Sequence, residues 1–134
     1  MSVPKSERRQ SDIEYIVILQ QIEQYFIDCL KQDYKVPVLS EKLVEKAIDA
    51  YNYGTRFFEL CNGKVSGTLA QKKKFCKETM WNLRELASQS NILVACRMKD
   101  DKPVKGLLQN IHRMSDAFNL LQNHLRKLNQ IKEI

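Results

Sequence analysis

The sequence predicts an all-α protein, an antiparallel up-down-up-down four-helix bundle, and three observations predict it. First, apolar residues recur at gaps of three and four from Val104 to Leu128, at Leu107, Leu108, Ile111, Met114, Phe118, Leu121 and Leu125 between them. That spacing draws one stripe down a helix. Second, three earlier segments of similar length also carry helical period, and short connections bearing proline or glycine separate them. Third, 4 Gly and 3 Pro in 134 residues leave little material for a β-rich or loop-rich fold. Long helices on short connections pack as antiparallel neighbours.

Residues 1–11 read as a polar, basic N-terminal arm with Lys5, Arg8 and Arg9, expected to be flexible, and residues 12–134 as the bundle. Ser11 opens a capping box with Glu14, in which hydroxyl and carboxylate each take a backbone N–H of the first turn. The first helix then runs to about Tyr34, with Tyr15, Leu19, Ile22, Phe26, Cys29 and Leu30 as its stripe. Ile16, Val17 and Ile27 lie about 100° or more off that stripe. A monomeric bundle would leave them in water, so they point to an oligomer seam.

Lys35-Val36-Pro37-Val38 is the first connection, because Pro37 pushes the residue before it out of the helical region. Ser40 caps the second helix, whose stripe is Leu43, Val44, Ala47, Tyr51, Phe58 and Cys61. Gly54 falls on that stripe at a propensity cost of ~1 kcal/mol, which is best explained by a close helix contact. Asn62-Gly63 closes the helix as a left-handed cap.

The third helix starts near Thr68 and reaches about Met98, with Leu69, Cys76, Met80, Leu83, Ala87 and Val94 facing inward. Trp81 lies about 120° from the centre of that stripe and Ile92 close to the same line, outside the core. Asp100-Asp101-Lys102-Pro103 makes the last turn, with Pro103 suited to open a helix. In the fourth helix, residues 111, 118 and 125 repeat by seven, as do 107, 114, 121 and 128. Leu107, Ile111, Phe118, Leu121 and Leu125 are therefore expected to be buried.

The chain shows no catalytic pattern. It has no G-x-G-x-x-G, P-loop or H-E-x-x-H, and no Glu-x-x-His pair of the di-metal bundles. His112 and His124 are separated by about 120° around one helix and cannot share a ligand. The cysteines at 29, 61, 76 and 96 form no C-x-x-C pair and read as small buried hydrophobes kept reduced. No cofactor, metal or enzymatic activity is expected. No stretch approaches the ~20 apolar residues that span a bilayer, and no apolar signal segment follows the start, so a soluble cytoplasmic protein is expected.

Charge carries more information. Up to Asn62 there are 8 Lys+Arg against 10 Asp+Glu, and from Gly63 onward 14 against 6. The excess belongs to the second helical pair, at Lys72, Lys73, Lys74, Lys77, Arg84, Arg97, Lys105, Arg113 and Lys127, with Lys99, Lys102 and Arg126 beside them. One reading is a solvated face that aids solubility; the other is a surface for polyanions, foremost RNA or DNA. Lys74, Lys77 and Arg84 surround Trp81 at offsets of seven, four and three. Trp81 is thus a candidate to stack a base, and equally a candidate, with Ile16, Val17, Ile27 and Ile92, for the seam of a homo-oligomer.

The opening MSVPKSER, the length, the four-helix pattern and the basic second half resemble the accessory variability determinant family. These are small bundle proteins that accompany the reverse transcriptase of bacterial and phage diversity-generating retroelements. They are related to bundle proteins encoded by insertions in bacterial large-subunit ribosomal RNA genes. The likeness is spread over the whole chain, and its one motif-like piece is Met1 to Arg8. It implies a ring-like pentamer, nucleic-acid binding through basic surface, and contact with the reverse transcriptase in support of mutagenic cDNA synthesis. It carries over no catalytic residues. The acidic first half departs from the pattern and would confine the nucleic-acid surface to helices three and four. The alternative is a helical interaction module that binds no nucleic acid.

Overall fold

The computed structural model describes the backbone at residues 5–31, 37–96 and 102–131, and side chains at 14–29, 41–95 and 106–131. The described residues form four helices: α1 (Lys5–Lys31), α2 (Pro37–Cys61), α3 (Leu69–Cys96) and α4 (Lys102–Asn129). Each is about 40 Å long at 1.5 Å per residue. Each helix packs on the two next to it in a closed square, and α1 and α3, like α2 and α4, sit at opposite corners.

Named contacts fix the directions. Tyr15 meets Phe57 at 5.9 Å while Leu19, one turn on, faces Gly54, so α1 and α2 run antiparallel. Lys46 bonds Glu85 at 2.7 Å and Tyr53 meets Phe75 at 6.1 Å, which reverses α3 against α2. Across α1 and α4, Tyr15 lies beside His124 and Gln21 accepts a hydrogen bond from Arg113. The result is the antiparallel up-down-up-down four-helix bundle.

The turn between α2 and α3 is built as its residues dictate. Gly63 takes φ +73°, its N–H donates to the Leu60 carbonyl, and the Lys64 N–H donates to that of Glu59 at 3.0 Å. This is the left-handed cap expected at Asn62-Gly63, in its Schellman form. Thr68 then caps α3 in a reciprocal box: the Gln71 N–H donates to Thr68 Oγ1 at 3.1 Å, and the Thr68 N–H donates to Gln71 Oε1 at 2.9 Å. Gly54 serves the close contact proposed for it. A Cβ there would land on Leu19 Cδ1 and lie 3.4 Å from Thr79 Cγ2.

Several boundaries and stripes differ from expectation. Helix α1 begins at Lys5, so residues 5–11 belong to the bundle's first helix and Ser11 is an interior position rather than its cap. No glycine or proline interrupts Lys5–Gln10, and adding a turn to an existing helix escapes the cost of nucleation. Likewise α2 opens at Pro37, which needs no N–H in a first turn, so Ser40 is not its cap. Residues 1–4, 32–36, 97–101 and 132–134 lie outside the described residues. They include the ends expected near Tyr34 and Met98, most of the first connection, and Asp100-Asp101 of the last turn.

The core gathers Tyr15, Leu19, Ile22 and Phe26 of α1 with Leu43, Val44, Ala47, Ala50 and Phe57 of α2. From α3 it takes Cys76, Leu83 and Leu86, and from α4 Leu107, Met114, Ala117, Leu121 and Leu128. The seam of α4 is thus the 107–114–121–128 series, while Ile111, Phe118 and Leu125 are half-buried along its α3 side. In α3 the inward line is Cys76, Thr79, Leu83, Leu86 and Ser90, alternating by three and four. Two of its five members are polar, which shifted the expected stripe onto the flanking Leu69, Met80, Ala87 and Val94. Among the described cysteines, Cys76 is buried and Cys29 half-buried; Cys61 is exposed, contrary to expectation, because it ends α2 at the turn.

Candidate nucleic-acid interface

The antiparallel register decides which charges meet. Cys76 donates to the Leu121 carbonyl at 3.3 Å, and the Arg56 guanidinium sits 6.0 Å from the Phe75 ring centre. The start of α3 therefore shares one end of the bundle with the ends of α2 and α4 and the start of α1. That end carries Arg56, Lys64, Lys72, Lys73, Lys74, Lys77, Arg126 and Lys127 among the described side chains, against Glu14, Glu59 and Glu78. Toward the other end, among the described side chains, Glu23, Asp28, Glu41, Glu45, Asp49 and Glu85 outnumber Lys42, Lys46 and Arg84. Among the described side chains, folding has converted a charge bias along the sequence into a charge gradient along the bundle axis.

The basic residues expected to bind nucleic acid divide into groups. Lys73, Lys77 and Arg84 share one ridge of α3, at intervals of four and seven. Lys74 and the 56% exposed Trp81 stand just beside it, and Lys73, Lys74 and Lys77 line a shallow depression with Ala70 and Glu78. Lys72 does not belong to this surface. It lies seven residues before Thr79 and eleven before Leu83, on the inward line, and is half-buried. Arg113 points the other way, donating to Gln21 across the α1–α4 groove, and Lys127, two heptads on, stands on that same flank. Arg97 lies outside the described residues, as does the Lys105 side chain. Sequence reasoning missed Arg56 and Lys64, which belong to the acidic half of the chain or its edge and reach the basic end only through the register.

The oligomer-seam residues also separate. Ile16 and Ile27 are half-buried against the core, because α1 packs on two neighbours and its apolar arc is wider than one stripe. Val17 remains 39% exposed, and Trp81 and Ile92 remain 56% and 54% exposed. Trp81 and Ile92 line up on α3 about 16 Å apart, while Val17 sits on the opposite corner of the square.

Lys46 holds its proton more firmly than usual because it is hydrogen-bonded to Glu85, and partial burial raises the Glu23 carboxyl. Burial pushes the Cys76 thiol up to about 12. His124 lies edge-on to Tyr15 and Phe57, as a flank of the core, and His112 is exposed. Among the described residues no group of three His, Cys, Asp or Glu is placed to hold a metal ion. No described helix is long and apolar enough to cross a membrane. No known protein family, curated protein or solved structure matches the chain.

Proposed function

We propose that this bundle is a nucleic-acid-binding accessory protein that works by holding a polyanion, without catalysis, at its basic end. The observation that carries this reading is the gathering, among the described side chains, of eight cations from α2, the 62–68 turn, α3 and α4 against three carboxylates. Such a concentration raises the local potential and attracts phosphates regardless of base sequence. The resemblance of Met1 to Arg8 and of the overall pattern to the accessory variability determinant family adds the context. The partner polymerase is then a retroelement reverse transcriptase in a bacterial or phage cytoplasm, supported in error-prone cDNA synthesis by a ring-like, pentameric oligomer.

A second reading is favoured by Trp81 and Ile92, which form an exposed apolar line on α3. In it the protein is a helical interaction module, and the charge serves solubility. Titrating RNA binding against salt separates the two. The first reading expects log affinity to fall linearly with log salt, by ~0.7–0.9 per phosphate neutralised. Absence of binding at ~0.1 M salt would leave the interaction module. Trp81→Ala then assigns that residue. Weaker binding by ~1–3 kcal/mol with the oligomer intact marks a stacking role, whereas loss of the oligomer marks a seam.

A further inference from the structure

The groove between α3 and α4 has a composition that the basic end alone does not explain. It measures about 470 Å³ and is floored by Ala87, Ile111, Met114 and Phe118. Arg84 rims it on the α3 side, and the Lys73–Lys77–Arg84 ridge runs about 16 Å beside it. The α4 lip is Ser115 and Gln122, both exposed, and Arg126 continues that line four residues beyond Gln122. Because α3 and α4 are antiparallel, Ser115 faces the Arg84 end and Arg126 the Lys73 end. None of these ridge, lip or floor positions is a carboxylate.

We infer that this groove takes the bases of a single-stranded nucleic acid, with the phosphates on the Lys73–Lys77–Arg84 ridge, so that the protein selects single strands over duplex. The inference rests on the nucleic-acid reading above. A half-buried phenyl ring supplies a stacking face, methyl-bearing neighbours supply apolar contact, and the hydroxyl and amide of the lip match the polar edges of bases. Cations on both rims complement a backbone that follows the groove. A duplex keeps its bases stacked inside and would meet the rims alone. A docked amphipathic helix would reward aliphatic lips, whereas here the lip is polar.

The test measures binding of a short labelled oligonucleotide as a single strand and as a duplex, at one salt concentration. Parent protein is compared with Phe118→Leu, which keeps the apolar contact and removes the ring, and with Ala87→Gln/Ser115→Gln, which fills the groove with good helix formers. Thermal melts establish that both variants are folded. The expected result is tighter binding of the single strand by the parent, a loss of roughly fivefold or more in each variant, and unchanged duplex binding. Equal affinity for both forms, or variants that bind the single strand like the parent, would overturn the groove and leave the salt-sensitive reading standing. Displacement of the oligonucleotide by an acidic amphipathic peptide, with groove variants losing peptide binding alone, would make the occupant a helix. Binding of neither form would overturn both readings.

Discussion

Ser90 is fully buried on the inward line of α3, and its hydroxyl has no hydrogen-bond partner among the described residues. Its polar companions are satisfied within the helix, Thr79 donating to the Phe75 carbonyl at 2.7 Å and Asn82 to that of Glu78 at 2.8 Å. An orphaned buried hydroxyl costs ~1–3 kcal/mol, so Ser90→Ala should be neutral or stabilising by ~1 kcal/mol in a urea titration. Gly54→Ala should go the other way. Leu19 is itself buried and has little room to move, so overpacking of ~1–3 kcal/mol should outweigh the ~1 kcal/mol gained in propensity. Cys76 gives a pH signature. Its thiol keeps its proton to about 12 when folded and loses it near the ordinary 9.0 when unfolded. Above pH 9 the unfolded chain therefore binds fewer protons, and stability should fall as pH rises through that window, by at most ~1.4 kcal/mol per unit. Cys76→Ala should lack this component of the decline when melts at neutral and alkaline pH are compared.

Helix α4 shows how far a periodic pattern reaches and where it stops. Its two interleaved heptad series are equally regular in the sequence, yet Leu107, Met114, Leu121 and Leu128 are buried in the core while Ile111 and Phe118 border the groove and Leu125 is half-buried. Periodicity fixes the stripe but not which edge of it meets the bundle axis, because that depends on the neighbours. Leu121→Ala should therefore cost ~2–5 kcal/mol, and Phe118→Ala less than the ~3–5 kcal/mol of a fully buried ring. A melt in which the Phe118 variant loses more than the Leu121 variant would contradict this orientation. Helix α3 was harder to read, since Thr79 and Ser90 occupy core positions and no hydropathy pattern marks them. Its start near Thr68 was nevertheless legible, the structure adds the Thr68–Gln71 capping box there, and Thr68→Ala should cost ~0.5–2 kcal/mol through the lost cap.

At the scale of the whole molecule, four helices and their order followed from long periodic segments and short breaks, while the site depended on register. The run Lys72–Lys77 was visible as charge, but the arrival of Arg56, Lys64 and Arg126 beside it follows only from the antiparallel pairing. Exposed Val17 and the Trp81–Ile92 line occupy opposite corners, so light scattering should give a mass that is a multiple of 15.7 kDa, and Trp81→Ala should reduce it if that line is a seam. The central claim is that position along the axis, and not net charge, makes the polyanion site. Two double variants that remove equal charge test it: Lys74→Gln/Lys77→Gln at the basic end and Lys42→Gln/Lys46→Gln toward the other. In RNA-binding titrations against salt, the first should bind more weakly and flatten the log–log slope by ~0.7–0.9 for each lost phosphate contact, while the second follows the parent. Equal weakening by both variants, or by neither, would contradict it.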